Sequence, residues 1–141
     1  MASGVKVGKD VEKQFDEMKL GHTSSFILMG INNGAIEVMK NAKKGEEGTS
    51  YEEFVADLPQ DDCRYAVYDL GYTLKDGREQ EKLVFIAWCP DTAHVKKKMI
   101  YASSKDALVK KLKGVSQQLI QASDYSDLEY KSVVEKVSMS K

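Results

Sequence analysis

Residues 88–114 read WCPDTAHVKKKMIYASSKDALVKKLKG, from Trp88 to Gly114. Pro90 and the Asp91/Thr92 pair open the stretch with residues suited to a helix start, and Gly114 closes it with one suited to a left-handed C-terminal cap. The pattern predicts a long helix over about 92–112. At 100° per residue Val95, Met99 and Ala102 cover one side of it, whereas Leu108 and Leu112 fall nearly opposite. The helix therefore cannot be straight and amphipathic over its whole length, and something must re-aim it between the two sets. The adjacent Ser103 and Ser104 can do that by bonding back to backbone carbonyls, so a bend is expected near Tyr101 to Ser104.

Between Pro90 and Gly114 seven lysines stand against Asp91 and Asp106, a local charge of +5 in a chain whose net charge is −1. A solvated face is the ordinary reading of such a helix. Met99 and Ile100 among the lysines give instead the mix that suits a helix laid into a partner's apolar groove. The asymmetry extends further: residues 1–89 carry eleven basic and sixteen acidic side chains, residues 90–141 ten and six. The molecule is therefore dipolar, with its basic end at the long helix.

Working outward, Arg64–Leu74 and Glu81–Cys89 are apolar on both faces and are separated by Asp76-Gly77. They should pair as central antiparallel strands of a sheet covered on both sides. The strand ending at Cys89, the long helix and a strand over 115–121 form a strand–helix–strand unit, whose strands should run parallel. Nearer the N-terminus, Asp10 should cap a helix with Val11, Phe15, Met18 and Leu20 as its apolar stripe, ended by Gly21. Ser25–Ile31 and Ala35–Lys40 flank Asn32-Asn33-Gly34, a strong hairpin signal. Residues 41–48 read as a polar loop. Ser50 with Glu53 forms a capping box for a short helix, 51–58. Ser126 or Asp127 should cap a last helix, 128–137, with Val133, Val134 and Val137 facing inward. Residues 1–8 read as a flexible arm.

The fold class expected is α/β of the α+β type. One domain over 1–141 should hold a mixed five- to six-stranded sheet between helix pairs. A chain of 141 residues with 42% hydrophobic and 30% charged side chains can bury one core without metals or disulfides. No apolar run approaches the roughly 20 residues that span a bilayer, and residues 1–10 show no secretory pattern. Cys63 and Cys89 lack CxxC spacing and companion histidines, which points to buried free thiols in a reducing cytosol.

No catalytic constellation is forced by the sequence. His22 and His94 have no neighbouring Cys, Ser or carboxylate at motif spacing, and no phosphate-cradling glycine loop is present. Asp69, among Tyr68, Leu70 and Tyr72, suits a structural buried carboxylate. A pI near 6.1 and the lack of aromatics interleaved with the lysines argue against nucleic acid. Anionic lipid headgroups suit the lysines better.

The phrases LPQDDCRYAVYDLGY, LVFIAWCPDTAHVKKKMIYASSKDALVKKLKG and MASGV together resemble the actin-depolymerising factor/cofilin family over about residues 2–137. KMIYASSKDAL is the most specific of them. The resemblance implies a non-enzymatic, cofactor-free, monomeric protein of the actin cytoskeleton that binds actin monomers and ADP-rich filaments, severs the filaments and promotes their depolymerisation. It implies a monomer site at Ser3, Gly4, Lys96, Lys98, Met99, Ile100, Lys105 and Asp106, with regulatory phosphorylation at Ser3. It implies a filament site at Arg78, Lys82, Glu135 and Lys136, and phosphoinositide contacts at Lys96, Lys98, Lys105 and Lys110. Glu79, Gln80 and Glu81 dilute the basic tip found in fungal relatives. Gln117 stands where some relatives carry a pH-sensing histidine. Asn41-Ala42-Lys43-Lys44 is all that matches the nuclear-entry run of vertebrate relatives, so no strong nuclear signal is expected.

Overall fold

The computed structural model describes residues 5–21, 23–44, 50–112 and 119–139. Among the described residues six strands form one mixed sheet: β1 (Lys6–Val7), β2 (Ser24–Asn32), β3 (Ala35–Lys43), β4 (Arg64–Thr73), β5 (Glu79–Trp88) and β6 (Ile120–Ala122), in the spatial order β1-β3-β2-β4-β5-β6. The four middle strands are antiparallel neighbours, and parallel pairs, β1 with β3 and β5 with β6, close both edges.

Alternation along the strands divides the core into two layers, because successive side chains leave opposite faces of a sheet. Ile27, Met29, Tyr65, Val67 and Phe85 pack with Phe15 and Met18 of α1 (Lys9–Gly21) and with Tyr101 and Leu108 of α3 (Val95–Lys111). Phe26, Leu28, Ala66, Tyr68, Val84 and Ile86 pack with Phe54 of α2 (Tyr51–Ala56) and with Val133 and Val137 of α4 (Tyr130–Met139). This is the expected sheet between helix pairs.

Local chemistry explains the turns. Asn33 and Gly34 both have positive φ, 51° and 78°, the combination that matches the twist of a two-residue hairpin and that Asn-Gly adopts at least cost. The Ser50 hydroxyl accepts from the Glu53 N–H at 3.2 Å and meets the Glu53 carboxylate at 2.9 Å, forming the expected cap of α2.

Several boundaries differ from expectation. Residues 5–8 are docked: Val5 is buried, Lys6–Val7 pair with Ala35–Ile36, and the Gly8 N–H donates to the Ile36 carbonyl at 2.9 Å. A Cβ on Gly8 would stand 2.7 Å from that carbonyl oxygen, so only glycine allows the approach. Leu20 points to solvent at 83% exposure and leaves Val11, Phe15 and Met18 as the stripe of α1. Strand β3 continues to Lys43, into the expected loop. Asp124, not Ser126 or Asp127, caps a 3-10 turn over Tyr125–Leu128, and α4 starts only at Tyr130. The expectations for Gly114 and Gln117 lie outside the described residues, as does most of the strand expected over 115–121.

Candidate functional site: the exposed face of the long helix

Helix α3 begins three residues later than the Asp91/Thr92 pair suggests. His94 is its cap, with Nδ1 accepting from the Lys96 N–H at 3.1 Å. The Thr92 hydroxyl is engaged elsewhere, donating to the Gln60 carbonyl. Asp91 is exposed, and the turn through 90–93 is closed by the Ala93 N–H on the Pro90 carbonyl at 3.0 Å. A histidine cap carries no strong sequence signal, since Ser, Thr, Asp and Asn dominate that position.

One stripe of α3 faces the core: Tyr101, Ser104 and Leu108 are buried, and Leu112 just beyond is 2% exposed. Spaced by three and four residues, these cover a single side. Val95 and Met99, expected to need burial, are instead 63% and 67% exposed, and Ala102 is exposed too. The burial argument for re-aiming the helix therefore falls away, because the buried side chains, from Tyr101 onward, lie on one stripe. Serine back-bonding does occur, with the Ser103 hydroxyl donating to the Ile100 carbonyl at 3.2 Å.

The helix is pinned by its backbone and by Tyr101. The Tyr101 hydroxyl accepts from the Ile31 N–H at 2.8 Å, and the Tyr101 carbonyl accepts from the buried Tyr65 hydroxyl. At its start, Lys97 lies 3.9 Å from the Asp62 carboxylate, which also receives Arg64 at 2.9 Å. Burial alone would push the Asp62 carboxyl up, but hydrogen bonds from Arg64 and the Cys63 N–H, with Lys97 nearby, hold it below the usual carboxylate range.

What remains outward is an apolar-centred face. Val95, Met99, Ala102 and Asp106 follow one another at spacings of four, three and four, so they form a line along the helix. Lys98 and Lys105 flank it on one side, Lys96 and Lys110 on the other. Lys96, Lys110 and Asp106 are exposed, whereas Lys98 and Lys105 are half-buried. The Lys98 ammonium donates to the Asp91 carbonyl at 2.7 Å, so it also braces the turn before the helix. Ile100 is half-buried and, with Ile31, Asn33, Gly34, His94 and Lys96, lines a largely apolar cleft of about 450 Å³ between α3 and the β2–β3 turn. Six of the eight residues expected in the monomer site thus share this helix; Ser3 and Gly4 lie outside the described residues. Lys96 and Lys110 are separated by about 20 Å along the axis, so the four lysines expected to meet phosphoinositides do not converge on one point.

The second expected surface is also contiguous. Lys82 on β5 donates to the Val137 carbonyl of α4 at 3.3 Å, bringing the hairpin and the last helix together. Arg78 is exposed at the tip and bonded to Asp76 at 2.8 Å; Glu135 and Lys136 are exposed on α4. Glu81, however, is not a simple diluting charge, because it sits 2.8 Å from Lys44.

Residues 4–138 match the family described as cofilin/tropomyosin-type actin-binding protein. The chain belongs to that family. It is 48% identical over 139 residues to the cofilin of Yarrowia lipolytica, covering 96% of this chain and 88% of that one. It is 42% identical to the cofilin of Mycosarcoma maydis over 99% of each. Among solved structures, Streptomyces griseoflavus cofilin superposes with a TM-score of 0.86 at 38% identity, covering 98% of this chain and 100% of that one. Cofilin-family membership fixes actin as the partner class. Among the described residues no helix is long and apolar enough to cross a membrane, and no three His, Cys, Asp or Glu side chains group to hold a metal ion.

Proposed function

We propose that the chain binds actin monomers through the outward face of α3, and binds filaments through that face together with the Arg78–Lys82 hairpin and α4. Through both contacts it promotes severing and loss of subunits. The observation that carries this reading is the exposure of Val95 and Met99, at 63% and 67%, in a line flanked by lysines. Large apolar side chains held outward on a rigid helix are the anchors expected of an interface, and the lysines around them suit an acidic partner surface. The half-buried Ile100 and its apolar cleft extend the same surface toward the β2–β3 turn.

Severing needs no chemical step. A protein that binds one filament twist more tightly than another shifts the filament toward that twist and leaves strain where decorated and bare segments meet. Ser3 and Gly4, just upstream of the docked Val5, complete the monomer site in this reading. A phosphate on Ser3 adds close to two negative charges beside an acidic partner and opposes docking. Phosphoinositides compete for the flanking lysines Lys96, Lys98, Lys105 and Lys110, two on each side of the apolar line.

The experiment is pelleting of actin filaments with and without the protein, measuring both protein bound and actin released to the supernatant. Bound protein with raised supernatant actin is expected. Binding without release would leave a filament-decorating protein that does not depolymerise, and neither would remove actin from the reading.

A further inference from the structure

Cys63 precedes β4 and Cys89 follows β5, one step beyond the cross-strand pair Arg64–Trp88. The ladder therefore sets the two cysteines opposite one another. Their N–H groups are directed elsewhere, Cys89 to the Ala122 carbonyl at 2.9 Å and Cys63 to the Asp62 carboxylate at 2.8 Å. Opposed residues that do not exchange backbone bonds have Cα atoms about 4.5 Å apart, within the roughly 4.4–6.8 Å that a disulfide spans. Both thiols are free, and their Sγ atoms are 2.7 Å apart.

The two sulfurs differ in access. Cys63 is fully buried, while Cys89 is half-buried and lines a cavity of about 270 Å³ together with Arg64, Lys98 and Lys105. Cys89 is therefore the sulfur that a peroxide reaches from solvent. Burial, with the Cys89 sulfur as neighbour, pushes the Cys63 thiol up to about 12, which leaves it protonated and slow to react first.

We propose that Cys63 and Cys89 form a hydroperoxide-sensitive site, in which Cys89 is oxidised first and Cys63 then closes a reversible intramolecular disulfide. In the first step the Cys89 sulfur attacks one peroxide oxygen. An S–O bond forms, the O–O bond breaks, and the other oxygen leaves as water or alcohol with the thiol proton. In the second step the Cys63 sulfur attacks the sulfenic sulfur. An S–S bond forms, the S–O bond breaks, and the departing hydroxide takes the Cys63 proton as water. The thiol pair loses two electrons and the peroxide gains them. An external dithiol reverses the change. The inference stands on the sheet register and the thiols alone, independent of the actin reading.

The test treats the folded full-length chain with stoichiometric hydrogen peroxide, blocks remaining thiols with N-ethylmaleimide after denaturation, and reads intact mass and a peptide map. Expected are loss of both alkylation sites together, a cross-linked peptide joining Cys63 to Cys89 within one chain, recovery of both thiols with dithiothreitol, and a higher melting temperature for the oxidised form. Cys63→Ser should give a dimedone adduct at Cys89, whereas Cys89→Ser should leave Cys63 unmodified. If Cys63→Ser does not fold, the wild-type map decides. Two thiols still alkylated after peroxide, oxygen added at Cys89 with no cross-link, or a disulfide only between chains would each overturn the proposal.

Discussion

The Lys44 ammonium lies 2.8 Å from the Asp69 carboxylate and also 2.8 Å from Glu81, bridging a fully buried acid of β4 to a half-exposed one of β5. Burial alone would lower the Lys44 pKa, but the hydrogen bonds and charges of Asp69 and Glu81 outweigh it and raise the value above that of a free lysine. Lys44→Met leaves Asp69 without its cation. The cost expected is about 2 kcal/mol, below the roughly 3–5 of a fully enclosed pair because the lysine head is one-third exposed. A group whose folded pKa is raised contributes fully below its unfolded pKa, near 10.4 for lysine, and loses that contribution as pH rises through the folded value. Urea denaturation of both proteins should therefore give a stability gap that is level from about pH 7 to about pH 10 and narrows at higher pH. A gap that is absent at pH 7, or that widens above pH 10, would contradict the bridge.

The same bridge changes how the filament surface is tested. Glu81→Lys would set two lysines beside Asp69, so any gain in filament binding would be confounded by rearrangement. Glu79 is exposed and has no such role among the described contacts. Glu79→Lys should raise filament affinity and severing at low salt, with the gain shrinking once charges are screened over about 10 Å or less. Monomer affinity should be unchanged. Single-filament severing counts at two salt concentrations, beside a monomer titration, check it; no gain at low salt would separate the hairpin tip from the filament contact.

Much of this architecture is legible because its signals are local. Asn33-Gly34 and Ser50 with Glu53 each carry their whole cause within four residues, and each appears where expected. What was not legible is tertiary. Lys6–Val7 is too short to announce a strand and exists only because Ala35–Ile36 offers it an edge. The inward stripe of α3 runs through a buried serine, Ser104, while the apolar Val95 and Met99 face out. Hydrophobic periodicity reads that arrangement inside out, since it assumes that apolar side chains seek the core. The exposure that misleads a fold reading is what marks the surface as a candidate site.

Tyr101→Phe tests how α3 is held. Its ring is buried, and its hydroxyl serves the Ile31 N–H across seventy positions of sequence. Removing the oxygen should cost about 1–2 kcal/mol, because the ring still packs while the half-buried N–H loses its acceptor. The measurement is a thermal or urea unfolding curve. Unchanged stability would mean that this bond does not pin the helix.

Ser3→Asp should weaken actin binding while shifting stability by no more than about 0.5 kcal/mol, since the residue precedes Val5, the first core side chain among the described residues. Ser3→Ala should bind as the parent does. Filament pelleting and a melting curve on each variant suffice, and full depolymerising activity in the Asp variant would take Ser3 out of the site.

The outward face of α3 as the monomer contact is tested most directly by titrating fluorescent actin monomers with Lys96→Ala/Met99→Ala. Both side chains are exposed, and neither braces the preceding turn as Lys98 does. The expected result is a loss of about 1–3 kcal/mol in affinity, roughly five- to 150-fold, at both low and physiological salt. Unfolding should stay within about 0.5 kcal/mol of the parent. An unchanged monomer affinity in a stably folded variant would contradict the assignment of this face to actin.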